Sequence, residues 1–168
     1  KRHLLCTAVA ADARHAGADN ADILCMPCMS MIGFHDMIEQ ELGHPITRLA
    51  DALAAFYRDI DKIGVLHMRQ KKKRIEEIFG TKAITPDAAQ AQQLLSAEEQ
   101  SKKDRSSAAV ENTMKEITET WRDQGIKHVL FARADAPLAE KGPAGAVSGV
   151  ITSSTFEILA RKVIDLLR

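Results

Sequence analysis

The sequence predicts an α/β protein of two pseudo-symmetric lobes, each a parallel sheet flanked by helices. Three observations lead there. Short apolar runs alternate with helix-favouring stretches along the whole chain, the pattern of strands joined by crossover helices. The order helix, Gly17, strand, Cys28 is echoed by helix, Gly125, strand, Ala132. The 168 residues are 45% apolar, yet no apolar run approaches the roughly 20 residues of a membrane span.

The elements follow in order. Residues 7–20 are Ala-rich and helical, with Gly17 in or after the last turn. Residues 21–26 form a short apolar run read as a buried strand, which places the Cys25 side chain in the core; Pro27 stops it. Residues 34–42 are amphipathic and helical, closed by Gly43, and 46–49 suit a short strand before a helix at 50–58. The clearest strand of the middle region is 62–68, followed by a charged helix at 71–79 and a short strand at 82–85 ended by Pro86. Residues 88–124 favour two helices with a break near 102–107; Gly125 closes the second. A strand at 127–132, a Gly-rich loop at 141–149, a strand at 150–152 and a helix at 156–167 capped by Ser154 or Thr155 complete the chain. The expected division is 1–58 with 152–168 as the first lobe and 59–151 as the second.

Composition narrows the function classes. The charge balances at 23 basic and 23 acidic residues, and aromatics are 4%, which argues against a nucleic-acid partner. No secretory leader or membrane segment is read, so a cytoplasmic protein is expected; the start at Lys1 also suits a fragment. Three cysteines, an odd number, fit a reducing compartment.

Chemistry concentrates at Met26-Pro27-Cys28-Met29-Ser30. A thiol just past a strand and before a helix sits where ligands bind in open α/β sheets, and a helix N-terminus favours the thiolate as base or nucleophile. A buried structural cysteine is the plain alternative. Cys25 and Cys28 form a Cys-x-x-Cys, which suggests a redox pair or half a zinc site; no second Cys/His pair follows at finger spacing, so no metal is expected. Lys71-Lys72-Lys73-Arg74 is either a solvated face or a patch that attracts an anionic substrate. His35, soon after Cys28, could orient the thiol, although an exposed helix position is the simpler expectation.

These segments together resemble the aspartate/glutamate racemase superfamily. Its Pro-Cys-Asn-Thr is similar to Pro27-Cys28-Met29-Ser30, its Gly-Leu-Leu-type strand to Ile63-Gly64-Val65-Leu66, and its Ile-Thr-Pro-Asp to Ile84-Thr85-Pro86-Asp87. Its closing Asp-Ser-Thr resembles Thr152-Ser153-Ser154-Thr155 before the last helix. The resemblance covers nearly the whole chain and implies Cys28 as the catalytic thiol. It implies substrate contacts at Met29, Ser30, Arg133 and Thr155, a small carboxylate or amino-acid substrate, and no cofactor; a homodimer is compatible with it.

The departures bear on mechanism. An amino-terminal strand with its Gly-rich loop has no counterpart here, Met29 replaces the usual Asn, and the Thr-rich loop has become His67-Met68-Arg69-Gln70. The second motif, Gly-Cys-Thr-Glu, is represented by Phe131-Ala132-Arg133-Ala134, so the second thiol is Ala132. Racemisation without a cofactor needs acid/base groups on both faces of a planar intermediate, and alanine moves no proton. Arg133 stays protonated, which leaves His67 as the chemically suitable stand-in. Three readings follow: a divergent racemase-like isomerase using Cys28, a non-catalytic relative that binds a small carboxylate or a partner protein, and a thiol-redox module.

Overall fold

The computed structural model describes residues 2–67, 72–132 and 147–168. It is a mixed α/β fold with parallel sheets flanked by helices. The strands are β1 (Leu24–Cys25), β2 (Ile46–Thr47), β3 (Ile63–Leu66), β4 (Ala83–Ile84), β5 (His128–Phe131) and β6 (Ile151–Ser154). The helices are α1 (Arg2–His15), α2 (His35–Leu42), α3 (Leu49–Phe56), α4 (Lys72–Phe79), α5 (Ala88–Asp104), α6 (Ala108–Asp123) and α7 (Thr155–Leu166). β1 and β2 form one parallel pair, and the other four strands form a second parallel sheet in the order β4-β3-β5-β6. Every pairing is parallel, and at least one helix lies between the paired strands in sequence for β1–β2, β3–β4 and β3–β5.

The echo between the two halves is real at the backbone. Gly17 ends α1 at φ 96°, and Gly125 follows α6 at φ 85°. Each donates its amide to a carbonyl of the last helical turn, Arg14 and Arg122 respectively. Both positions need the left-handed conformation that glycine adopts without Cβ strain, and each turns the chain from a helix toward a strand.

Strand alternation splits the core of the larger sheet into two layers. Ile63, Val65, Leu130 and Ala132 face one side, where they join Leu49 and Leu53 of α3, Ile75 and Phe79 of α4, and Ile158 and Leu159 of α7. Leu66, Val129 and Phe131 face the other side and join Leu94, Met114, Ile117 and Trp121 of α5 and α6. The smaller sheet has its own layer, built from Cys6 and Ala10 of α1 and Ile38 and Leu42 of α2. β6 pairs with β5, and α7 then returns across the molecule to pack on α3.

Local signals fix the joints. Asp87 caps α5: its carboxylate accepts from the Gln90 amide at 2.8 Å, and the Asp87 amide donates to the Gln90 side chain at 3.2 Å. The Ile84-Thr85-Pro86-Asp87 stretch therefore serves as a strand end, a stop and a cap. Ser154 caps α7 by accepting from the Glu157 amide at 3.1 Å, while Thr155 begins the helix. One expectation is corrected. The strand at 21–26 shrinks to Leu24–Cys25, and the Cys25 side chain is exposed rather than in the core. Leu24 and Met26 pack against the layer of α1 and α2, so Cys25 between them points to the opposite, solvent-facing side.

Gly64 is required for space. A Cβ there would land inside the indole of Trp121, which is itself 2% exposed. Gly64→Ala should lower the unfolding free energy by about 1–3 kcal/mol, as overpacking does. Denaturant titration followed by Trp121 fluorescence reads that loss; an unchanged midpoint would contradict the packing.

Candidate functional site

Cys28 stands three residues beyond the end of β1, with extended backbone at φ −85° and ψ 114°. Its thiol is free and half-buried, and its carbonyl accepts from the Met31 amide at 2.9 Å. A 3₁₀ segment, Met29–Phe34, separates it from α2. This corrects the expectation of a thiol at an α-helix N-terminus. Six residues of 3₁₀ geometry intervene, so the aligned dipole of α2 does not act directly on Cys28.

The side chains around Cys28 divide by burial. Met29 is 4% exposed and belongs to the core that contains Val65, Leu130, Ala132 and Ile158. The residue next to the thiol is thus anchored in the same cluster as Ala132. Ala132 is 4% exposed and its amide donates to the Leu66 carbonyl at 2.9 Å, which holds it beside the carboxyl end of β3. Ser30 is half-buried. Thr155 is fully buried, and its hydroxyl has no hydrogen-bond partner among the described residues. His67 is half-buried just past β3. Arg133, together with Met68, Arg69, Gln70 and the Gly-rich loop, lies outside the described residues. Among the described residues, no group of three or more His, Cys, Asp or Glu side chains could hold a metal ion.

Three features escaped the sequence reading. Tyr57 is 4% exposed, and burial pushes its phenol well above the usual tyrosine range, with buried Ser153 opposing the shift. Its hydroxyl closes no regular hydrogen bond among the described residues. Second, the Arg74 guanidinium lies directly on Gly33 in the 3₁₀ segment, which joins α4 to the Cys28 loop. Only the basic run hinted at this contact, because the residues are 41 positions apart in sequence. Third, an open groove between α5 and α6, lined by Gln92, Gln93, Gln100, Thr113 and Glu116, lies on the other face of the larger sheet.

His35 needs correction as well. It is buried, at 3% exposure, where an exposed helix position was expected. As the first residue of α2 it turns inward, and its Nε2 has no partner among the described residues. Around it is an ionic knot: Arg48 pairs with Asp36 at 2.6 Å and with Glu39 at 2.7 Å, and Glu39 also accepts from the Ile46 amide at 2.8 Å. Burial, then the Arg48 charge, lowers the His35 pKa below its ordinary 6.5. The Ile46 amide bond is the main cause that lowers the Glu39 pKa below 4.5.

The comparisons with known proteins bear on this geometry. No protein-family profile and no curated protein matches the sequence. Solved structures do match. A structure described as a candidate Asp/Glu racemase from Yersinia pestis superposes with a TM-score of 0.69 at 24% identity, covering 99% of this chain and 74% of that one. An aspartate racemase homologue from Pyrococcus horikoshii OT3 gives 0.69 at 22%, covering 95% of this chain and 71% of that one. The chain has the fold of the aspartate/glutamate racemases. In this fold Cys28 lies just past the end of β1 and Ala132 directly follows β5. At these identities the likeness carries the fold and leaves the chemistry to the side chains.

The buried imidazole gives the racemase fold a pH dependence. A histidine whose folded pKa is lowered binds its proton more readily in the unfolded chain, so stability falls as pH drops below about 6.5 and levels off below the folded pKa. Glu39 acts in a separate, lower window, below 4.5. Urea unfolding at pH 7.5 and 5.5 should show a lower midpoint at the acidic value, and His35→Phe should flatten that difference. Equal slopes in both proteins would mean that His35 is not neutral in the fold.

Proposed function

We propose that the protein is a divergent, cofactor-independent racemase-like isomerase that abstracts the α-proton of aspartate, glutamate or a related small carboxylate, with Cys28 as the base. The observation that carries this reading is the half-buried, free thiol at the end of β1, in a racemase fold, beside a residue that shares the core of Ala132. A thiolate in such a position can take a proton from carbon when the developing carbanion is delocalised into the adjacent carboxylate. Ser30 and Thr155 are the proposed polar contacts, with Met29 supplying backbone and shape. Arg133 is the proposed cation that follows Ala132 in sequence.

The second reading, a non-catalytic relative that binds a small carboxylate, is favoured by one specific observation. Ala132 is buried and offers no proton donor at the position of the second thiol. In this reading the carboxylate is bound and no proton is moved.

The two readings separate by experiment. In deuterated water the wild-type protein should exchange the α-proton of bound aspartate or glutamate without inverting it, read by NMR and by chiral chromatography. Cys28→Ser should abolish exchange, because a hydroxyl is a far weaker acid than a thiol. Ala132→Cys should add inversion. Racemisation by the unaltered chain would point to a second base, with His67 the first to substitute. Carboxylate binding without exchange would leave the non-catalytic relative standing.

A further inference from the structure

The last helix shows three distinct faces. Ile158 and Leu159 turn toward α3 and enter the core shared with the larger sheet. Glu157, Arg161, Asp165 and Arg168 follow one another along a second face, where Arg161 donates to Glu157 at 2.8 Å and lies 5.7 Å from the centre of the Phe56 ring. The third face is apolar. At 3.6 residues per turn, Phe156, Ala160, Val163 and Leu167 line up there, with Ile164 beside them. Phe156 is 48% exposed, Ile164 50% and Leu167 67%. Among the described residues, this stripe joins none of the three buried cores.

We infer that the stripe is an interface with a second copy of this chain, the two α7 helices packing antiparallel about a twofold axis. The spacing is the first argument. Steps of four, three and four residues are the a/d repeat of a helix seam, and the series reads the same from either end. Its midpoint falls between Arg161 and Lys162. Laid against its own reverse, the stripe sets Phe156 against Leu167 of the second copy, and Ala160 against Val163 of the second copy. Large side chains meet at the two ends, and the small Ala160 near the axis lets the helices approach. A twofold interface requires such self-complementarity. Charge is the second argument. Glu157 stands in the first turn of α7 and Arg168 just past its end. Antiparallel packing brings these opposite charges together across the seam, whereas parallel packing would align like with like. Glu157 meets Arg161 through Oε1, which leaves Oε2 for a second cation. The same charges disfavour a lipid surface: Glu157 and Asp165 are interspersed with Arg161, Lys162 and Arg168, where a bilayer-bound helix carries a basic polar face. The seam is about 17 Å long at 1.5 Å per residue. That is short beside the interfaces of permanent dimers, so the pair is expected to dissociate at micromolar concentration. The inference is independent of any use of Cys28.

The test is sedimentation of the full chain over about 5–500 μM, a range that brackets a micromolar dissociation constant. Wild type should pass from monomer to dimer. Ala160→Glu, which places a charge at the centre of the seam, should weaken association more than about tenfold. Glu157→Arg and Arg168→Glu should each weaken it about three- to tenfold, and the two together should restore it to within about twofold of wild type. Circular dichroism melts check that every variant folds. A monomer throughout, or a dimer indifferent to Ala160→Glu, would overturn the interface. Additive losses in the double charge variant would overturn the antiparallel register. A monomer that binds phosphatidylglycerol vesicles, and stops doing so as Ala160→Glu, would give the stripe to a lipid surface and also overturn the inference.

Discussion

The burial of Met29 governs the arrangement of this protein. Its side chain leaves the loop after β1 and enters the core under the larger sheet, among Leu49, Leu53, Val65, Leu130 and Ile158. A fully buried methionine contributes on the order of 1.5–3 kcal/mol by removal from water, enough to hold one end of a short loop. Because Met29 is bound covalently to Cys28, the core sets where the thiol stands. Through the same cluster the loop is tied to α4, which brings Arg74 onto Gly33, and to α7, which returns from β6 to lie on α3. The two-residue strands β1 and β2 would make a weak sheet alone; their support comes from α1 and α2 and from this shared core.

Electrostatics are arranged around that frame with unequal local exposure. Arg48 pairs with Asp36 and Glu39, while His35 beside them is buried, and desolvation lowers its pKa. Burial likewise raises the pKa of the Tyr57 phenol. Polar groups such as these stiffen the joints between helices when they are satisfied and weaken them when they are not. Among the described residues the Thr155 hydroxyl has no hydrogen-bond partner, and the joint between α3, β6 and α7 is built largely from apolar packing.

The contrast between Cys28 and Ala132 defines the chemical question. Both lie at or just beyond strand ends of a fold shared with Asp/Glu racemases from two organisms. One carries a thiol with access to solvent; the other is a buried methyl group. Inverting a carbon centre needs acid/base groups on both faces, and a fold by itself does not supply them.

Much of the fold was legible in the residues themselves. Alternating apolar runs and helix-favouring stretches, punctuated by Gly17, Gly43 and Gly125, located nearly every element, because local periodicity and turn chemistry act over a few residues. Cys28 was legible for the same reason, as a thiol between a strand and a turn. What the sequence could not decide was which side chains are inside when an element is short. Cys25 reads as core and is exposed, and His35 reads as exposed and is buried, because two residues of strand and the first residue of a helix take their direction from neighbours far along the chain. The seat of Arg74 on Gly33, and the common core of Met29 and Ala132, join positions with no local relation. Only tertiary packing, which minimises exposed apolar area over the whole molecule, brings such residues together.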